Sequence, residues 1–248
     1  MAHDLAFRTG LAALLGLIAA AGNLLGGYFV VRRDWPRQYL QYFLALGAGY
    51  MLAVALLEVI PESVRLAGES ALLSVLIGFF LVHLFEHTIA PHFHFGEETH
   101  TEEFSHHHAR TTVLFGLAIH TFFDGVAIAA GFLVSTWLGA VIFMAVFLHK
   151  LPEGFTIASV VLASGQGKRK AILAAGALGA ATLLGVFLTS LLQGQLKYAL
   201  PLAGGVTLYV AATDLLPEVN REPNWRMAVL VFVGVASLLI MQHLFHVP

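Results

Sequence analysis

The stretches HTFFDGVAI (residues 120–128) and HKLPEGFTI (residues 149–157) lie inside long apolar runs, and each carries a histidine four residues before a carboxylate. The runs that surround them are long enough for membrane-spanning helices, which need about 20 predominantly apolar residues. The rest of the chain has the same character, since 58% of its 248 residues are hydrophobic and 11% are charged. A soluble domain has roughly 25% charged residues. The composition therefore predicts an all-α polytopic membrane protein.

Eight apolar runs are long enough to span a bilayer, and they lie at residues 7–31, 38–60, 71–90, 112–134, 138–162, 171–193, 198–217 and 226–246. Only a short turn joins the fourth run to the fifth, which predicts an antiparallel hairpin. The first run has no basic region before it and no obvious cleavage site after it, so we expect it to be retained as a helix. Residues 1–248 are therefore expected to form a single transmembrane domain.

Lysine and arginine are distributed unevenly between the two sides of these spans. The connections after spans 1, 3, 5 and 7 carry nine of them, and the opposite side carries three. Under the positive-inside rule, this difference places both termini outside the cell and makes the protein a multi-pass component of the cell membrane. There is no cysteine and the net charge is only −2, so thiolate metal sites are excluded and a nucleic-acid partner is not indicated.

The longest connection, residues 91–111, is then cytoplasmic and rich in histidine. Its six histidines are His92, His94, His100, His106, His107 and His108. Histidine at this density is typical of weak, exchangeable metal binding. The alternative interpretation is a solvated, low-complexity linker that binds no ligand.

Two segments near the start of the chain resemble two near its end. Span 2 ends with LLEVIPES (residues 56–63) and span 7 with ATDLLPEV (residues 212–219), while span 3 ends with HLFEH (residues 83–87) and span 8 with HLFH (residues 243–246). Two spans separate the copies, so they would run in opposite directions in a 3+2+3 arrangement with inverted repeats, as in many secondary transporters. The mouths of a pathway would then carry Glu58, Asp214, His83, Glu86, His87 and His243. The alternative is that these polar groups lie at helix ends only to meet the membrane interface.

The histidines and carboxylates of spans 4 and 5 fall near the bilayer midplane. Residues His120 and Asp124 are one helical turn apart, as are His149 and Glu153, so each pair shares a helix face. A carboxylate at that depth costs roughly 2.5–3.5 kcal/mol on translocon scales, and such groups face a bundle interior or a pathway. Two nitrogen and two oxygen ligands suit Zn²⁺, and Fe²⁺, Mn²⁺ and Cd²⁺ are also accepted. The alternative is a salt-bridge network in which Lys150 neutralises the two carboxylates.

The motifs HTFFDG and HKLPEG resemble the span-4 and span-5 motifs of the ZIP family (Zrt/Irt-like proteins), which are divalent-metal transporters and not enzymes. The resemblance covers the whole chain, and the protein is identified as a bacterial-type member. It implies that His120, Asp124, His149 and Glu153 bind the transported ion, with Met51 of span 2 as an additional soft ligand. It also implies that spans 1, 4, 5 and 6 move as an elevator against spans 2, 3, 7 and 8.

The chain departs from the family pattern at two positions. Many bacterial members have Asn after the span-4 histidine and an acid or Asn after the span-5 histidine, and these residues complete a second metal site. Here the two positions are Thr121 and Lys150, and span 6 carries no carboxylate. We therefore expect one transported ion per site, with the Lys150 ammonium in place of a second ion.

Two other function classes fit parts of the sequence. The segment HLFEH matches H-x-x-E-H, the spacing of inverted zinc metalloproteases, so an intramembrane peptidase is one alternative. A membrane metal sensor that binds an ion without transporting it is another. With either alternative, the expected partners are still the lipid bilayer and divalent metal ions. The sequence leaves open whether the chain forms a homodimer.

Overall fold

A computed structural model describes residues 2–32, 37–88, 107–221 and 224–245, and all the regular secondary structure in these ranges is helical. Eight helices in this part of the chain are long and apolar enough to cross a membrane, which confirms the predicted fold class. Spans 1 to 4 are Ala2–Arg32, the continuous series Arg37–Val54, Ala55–Val59 and Ile60–Ala67, then Ser70–Thr88 and His107–Val134. Spans 5 to 8 are Thr136–Ala163, Lys168–Leu191, the series Gln193–Gln195, Leu196–Tyr209, Val210–Leu215 and Leu216–Asn220, and finally Trp225–Leu244.

Spans 2 and 7 each contain a π-helical turn just before a proline. The turn Ala55–Val59 is followed by Pro61, and the turn Val210–Leu215 is followed by Pro217. Proline lacks the N–H that closes a helical turn, and the wider π turn lets the helix continue past it. Both helices therefore extend several residues beyond the apolar runs that identify them in the sequence. Such π turns are frequent at functional sites.

The eight spans pack as two four-helix bundles. Spans 1, 4, 5 and 6 form the first bundle, in which each helix packs against the other three. Spans 2, 3, 7 and 8 form the second, in which span 2 packs against the other three and span 3 lies along span 7. The bundles meet mainly where span 2 lies on span 5 and where span 4 lies on span 7. The two helices that carry the His-carboxylate motifs are thus the two that face the second bundle.

Glycines bring spans 1 and 5 into backbone contact. A Cβ added at Gly154 would lie 2.0 Å from the carbonyl oxygen of Asn23, and a Cβ added at Gly26 would lie 2.1 Å from that of Leu151. A side chain at either glycine would therefore push the two helices apart.

The same reciprocal contact joins three more helix pairs, namely spans 4 and 6, spans 2 and 8, and spans 3 and 7. The glycines of these pairs are Gly125 with Gly185, Gly49 with Gly234, and Gly78 with Gly205. All four helix pairs lie within a bundle. Across the boundary, a Cβ at Gly47 would meet Leu148 at an ordinary 3.6 Å. Inside the bundles, these four pairs of helices are therefore in direct backbone contact, whereas the contact at Gly47 between the bundles is looser.

Candidate metal centre

Four side chains of spans 4 and 5 converge where the first bundle meets the second. One ligand atom from each of His120, Asp124, His149 and Glu153 can be chosen so that all four atoms lie within 4.8 Å of one another. All four residues are buried, and at most 5% of the surface of any of them is exposed. Among the residues that the structure describes, this is the one group of three or more such side chains close enough to share a metal ion.

A single oxygen atom is the focus of this cluster. Oδ2 of Asp124 lies 3.3 Å from Nε2 of His120, 3.2 Å from Nε2 of His149 and 2.6 Å from Nζ of Lys150. His120 approaches this oxygen from one turn earlier in span 4, and His149 and Lys150 approach it from span 5. The hairpin of spans 4 and 5 is what brings the two motifs together.

The ring of His149 is held in one orientation. Its Nδ1 lies 2.9 Å from the carbonyl oxygen of Ala145, one turn earlier in span 5. A carbonyl oxygen can only accept a hydrogen bond, so Nδ1 carries the proton and donates. In the neutral imidazole, Nε2 then presents its lone pair to Asp124. Two lone pairs that face each other across 3.2 Å are suited to a cation bound by both.

The ring of His120 is held less firmly. Neither of its nitrogens has a hydrogen-bond partner among the described residues, because the 3.3 Å approach to Asp124 lacks hydrogen-bond geometry. Its centroid lies 5.4 Å from that of the His149 ring. A buried imidazole with two unsatisfied nitrogens costs free energy. A metal ion that accepts one of its lone pairs would offset that cost.

Lys150 bridges the two carboxylates. Its Nζ lies 2.6 Å from Oδ2 of Asp124 and 2.6 Å from Oε2 of Glu153, and the side chain is completely buried. Thr121 donates a hydrogen bond from its hydroxyl to the other carboxylate oxygen of Glu153. The salt-bridge network that the sequence offers as an alternative to a metal site is therefore present, and it is built from the same carboxylates. The two interpretations are not exclusive, since a metal ion at Asp124 would compete with the ammonium.

Met51 is fully buried in span 2. It lies one turn after Gly47, which packs on Leu148 and the backbone of His149. Met51 is thus on the face of span 2 that lies against span 5.

The residues predicted at one mouth of the pathway form contacts of their own. Glu58 lies in the π turn of span 2, and one of its oxygens accepts hydrogen bonds from Nε1 of Trp137 at 3.0 Å and from Nε2 of Gln242 at 2.8 Å. Trp137 is in the first turn of span 5, so its bond to Glu58 crosses between the bundles. His243, next to Gln242, is exposed.

The residues predicted at the other mouth of the pathway lie near the C-terminal end of span 3 and in the π turn of span 7. Tyr209 donates a hydrogen bond of 2.8 Å to the buried carboxylate of Glu86. The rings of His83 and His87 are exposed and lie 4.1 Å apart, centroid to centroid. Asp214 is buried in the π turn, one turn beyond Tyr209.

The loop histidines are largely outside the described residues. His92, His94, His100 and His106 fall in the range 89–106, which the structure does not describe. His107 and His108 begin the helix of span 4, where only the backbone is described.

Several residues of these clusters lie in none of the motifs that the sequence shows. Trp137, Gln242 and Tyr209 hold the acids of the predicted mouths, and Asn23 of span 1 lies in backbone contact with Gly154 beside the metal centre. A single amide among apolar residues, in the run AAAGNLLGG, is the one hint that the sequence gives for Asn23.

Comparison with known proteins identifies similar chains along nearly the whole length. The family model described as ZIP Zinc transporter matches residues 6–113 and 97–242. Proteins named Zinc transporter ZupT from Escherichia fergusonii and from Enterobacter sp. (strain 638) are 28% and 29% identical to the chain over 249 aligned residues. Each alignment covers 92% of this chain and 96% of the relative.

Proposed function

Because the chain belongs to the ZIP family of metal transporters, we propose that it carries a divalent metal ion into the cytoplasm through the site on spans 4 and 5. Zinc is the ion that the relatives' names specify, and we propose it as the main substrate, with Fe²⁺, Mn²⁺ and Cd²⁺ as further candidates. The observation that carries the proposal is the convergence of both His-carboxylate motifs on one buried point.

We assign His120, Asp124, His149 and Glu153 as the ligands of the transported ion. Two imidazole nitrogens and two carboxylate oxygens make a set of four donors of the kind that zinc binds. Met51 is proposed as an additional soft ligand supplied by the second bundle. Its place on the face of span 2 that lies against span 5 supports this role.

One ion at a time is proposed to occupy the site. The position that would hold a second cation contains the Lys150 ammonium, already within 2.6 Å of both carboxylates. Thr121 stands at the other position where the chain departs from the family pattern. Its hydroxyl donates a hydrogen bond to Glu153. A second divalent ion would have to displace a positive charge from a buried place.

Transport is proposed to follow an elevator-type cycle of alternating access. The mobile unit would be the bundle of spans 1, 4, 5 and 6, which contains the four proposed ligands, and spans 2, 3, 7 and 8 would be the static unit. The packing supports this division, because the tight glycine contacts occur within each bundle while Gly47 packs more loosely across the boundary. Within the apolar 18-residue window of each span, the buried fraction of residues is smallest in spans 3 and 8, at 28% and 17%. Such exposure suits helices that face lipid or a second copy in a homodimer.

The inverted repeat is supported by residues beyond the sequence motifs. Adding 156 to Gly49 gives Gly205, and adding 156 to Gly78 gives Gly234, and all four are tight contact glycines. The same offset relates the π-turn acids Glu58 and Asp214. This register also pairs His87 with His243, one turn away from the pairing that HLFEH and HLFH suggest. We therefore propose that spans 1–3 and 6–8 are two copies of one unit, in a single domain with both termini outside.

Zinc uptake by purified protein in proteoliposomes tests the proposal. Wild-type protein is expected to transport zinc, and His149→Ala is expected to lose uptake because it removes a ligand at the centre of the cluster. His3→Ala is the matched control, since His3 is exposed at the start of span 1. Zinc binding without uptake by wild type would identify a sensor, and normal uptake by His149→Ala would place the pathway elsewhere.

A further inference from the structure

Asn23 is a buried amide that the metal centre as described above does not use. It lies in span 1, it is 0% exposed, and neither Oδ1 nor Nδ2 has a hydrogen-bond partner among the described residues. A buried amide without partners is costly. This cost would be offset if the amide met a polar partner in another state of the protein.

The position of Asn23 on its helix directs its side chain into the first bundle. Gly22 and Gly26 contact span 5 and Ala20 contacts span 6, while Gly27 lies closest to Ala175 of span 6 and also near Gly154 and Ala158 of span 5. At about 100° per residue, Asn23 falls between these two faces, roughly 60° from Gly26 and 40° from Gly27. Its side chain therefore points between spans 5 and 6, toward the interior where span 4 closes the bundle.

Lys150 enters the same interior at the same level. A Cβ at Gly22 would lie 3.1 Å from Cβ of Lys150, and the backbone of Asn23 touches Gly154, the neighbour of Glu153. The ammonium of Lys150 has three N–H donors, of which Asp124 and Glu153 use two. The unsatisfied Oδ1 of Asn23 is an acceptor on the residue that follows Gly22, against which Cβ of Lys150 packs.

A metal ion at the site would displace the ammonium from at least one carboxylate. The two Nε2 atoms and Nζ of Lys150 all converge on Oδ2 of Asp124. An ion bound through that oxygen would repel the ammonium and take its hydrogen-bond acceptor. A buried ammonium without a replacement acceptor would then oppose binding.

We propose that Asn23 is a positioning residue whose Oδ1 accepts a hydrogen bond from the Lys150 ammonium when a metal ion takes the place of that ammonium at Asp124. The inference rests on the proposed function of the site and extends it to span 1. The hydrogen bond from Lys150 to Asp124 and the one from Lys150 to Asn23 are alternatives, so the Asn23 amide is unpaired in one state and paired in the other. The ammonium stays beside Glu153 in both states, in place of a second ion. The amide acts on metal affinity through Lys150 and does not touch the ion.

Zinc affinity and stability of the whole protein in detergent test this role together. Asn23→Leu keeps the size and removes both polar atoms, so it is expected to weaken zinc binding by about tenfold, the effect of one hydrogen bond to a charged group. The melting temperature without metal is expected to stay the same or rise, because the amide makes no hydrogen bond there. A purely structural role for Asn23 predicts the reverse, a lower melting temperature with unchanged zinc affinity, and would overturn the proposal.

Two further variants separate action through Lys150 from other roles. Asn23→Asp keeps the acceptor oxygen and is expected to retain zinc binding. In a Lys150→Met background, Asn23→Leu is expected to have no further effect on zinc affinity, as a double-mutant cycle would show. An equal loss in both backgrounds would mean that Asn23 acts directly on the ion, which contradicts the proposal.

A matched control is Thr182→Val, which removes a fully buried polar group from span 6 of the same bundle. The Thr182 hydroxyl bonds to its own helix at Leu178, so this change is expected to leave zinc affinity unchanged. The proposed function is judged separately by wild-type zinc uptake. If wild type transports zinc and Asn23→Leu binds it normally, the role of Asn23 is refuted while the transport site stands.

Discussion

Nζ of Lys150 lies 2.6 Å from Oδ2 of Asp124, and both side chains are almost completely shut off from solvent. The oxygen that the two imidazoles face is therefore already neutralised by a cation of the protein itself. Bringing a divalent ion to this point exchanges one positive charge for another, in a place that would otherwise hold two unpaired carboxylates. We therefore expect Lys150 to set both the stability of the protein without metal and the number of ions that the site accepts.

Replacing Lys150 with alanine is expected to change the number of bound ions. Without the ammonium, Asp124 and Glu153 are both free to bind metal, and a cavity is left at the second position. Zinc bound per protein, measured by elemental analysis after equilibrium dialysis, should rise from one to two. A stoichiometry of one in Lys150→Ala would show that the second position cannot hold an ion, and two in wild type would refute the single-ion proposal.

The same substitution is expected to destabilise the protein when no metal is present. Breaking a buried ion pair by removing one partner costs about 3–5 kcal/mol, because the remaining charge is left uncompensated. Thermal unfolding in detergent should therefore begin at a lower temperature for Lys150→Ala, and added zinc should restore more stability to it than to wild type. Equal melting temperatures without metal would mean that the bridge contributes little.

Thr121 is expected to affect zinc affinity through Glu153. Its hydroxyl holds one carboxylate oxygen, which leaves the other for Lys150 or a metal ion. Thr121→Val removes the donor at nearly constant volume, and the loss of a hydrogen bond to a charged group, about 1.5–3 kcal/mol, predicts at least a tenfold rise in the KM of zinc uptake. Thr121→Ser keeps the donor and should behave like wild type. Equal KM values for the valine and serine variants would exclude this role.

Gly154 is expected to tolerate no side chain. A Cβ there would lie 2.0 Å from the carbonyl oxygen of Asn23, so Gly154→Ala must separate spans 1 and 5. Overpacking of this kind typically costs about 1–3 kcal/mol, and the displacement falls beside Glu153, so both the melting temperature and zinc uptake should fall. The control is Gly10→Ala, because a Cβ at Gly10 meets nothing within 4 Å. A Gly154→Ala protein with wild-type stability would contradict the close contact.

The bond between Trp137 and Glu58 is expected to hold the two bundles in the arrangement seen here. It joins span 5 to span 2 at 3.0 Å, whereas the bond from Gln242 to the same carboxylate stays within the second bundle. Trp137→Phe removes the donor and should raise the maximal rate of zinc uptake roughly two- to tenfold, as the loss of about 0.5–1.5 kcal/mol allows.

Gln242→Leu serves as the control for Trp137→Phe, since it removes a donor to Glu58 without touching the boundary between the bundles. Its maximal rate of uptake should remain close to that of wild type. If both variants change the rate equally, the effect belongs to the carboxylate of Glu58 and not to the contact between bundles.

The sequence predicts the spans and the cluster of spans 4 and 5 because both depend on local spacing. An apolar run of sufficient length predicts a helix, and a histidine four residues before a carboxylate places both on one face. The turn at Ser135 is too short to separate the two helices, so their motifs had to lie side by side. Ser135 caps span 5 by accepting a hydrogen bond from the amide of Leu138.

The sequence does not reveal the contacts that depend on how distant helices are rotated. Tyr209 meets Glu86 across 123 residues, and Gln242 meets Glu58 across 184. Nothing in the spacing of an apolar helix states which neighbour a lone polar residue will face. The π turns are hidden for a related reason, because an extra residue in one turn leaves no periodic signal in a span that is apolar on most sides.

The glycine contacts have a consequence for how the protein would discriminate between ions. Helices that touch backbone to backbone have no layer of adjustable side chains between them, so we expect the two helices of each such pair to move as one unit. We then expect distortion to be concentrated at the boundary between the bundles, where side chains can change rotamer. The four proposed ligands of spans 4 and 5 all belong to the first bundle, so in the proposed cycle they would keep the same mutual distances whichever side of the membrane they face. The preference that these four ligands give for one metal over another should accordingly be the same in both directions of transport.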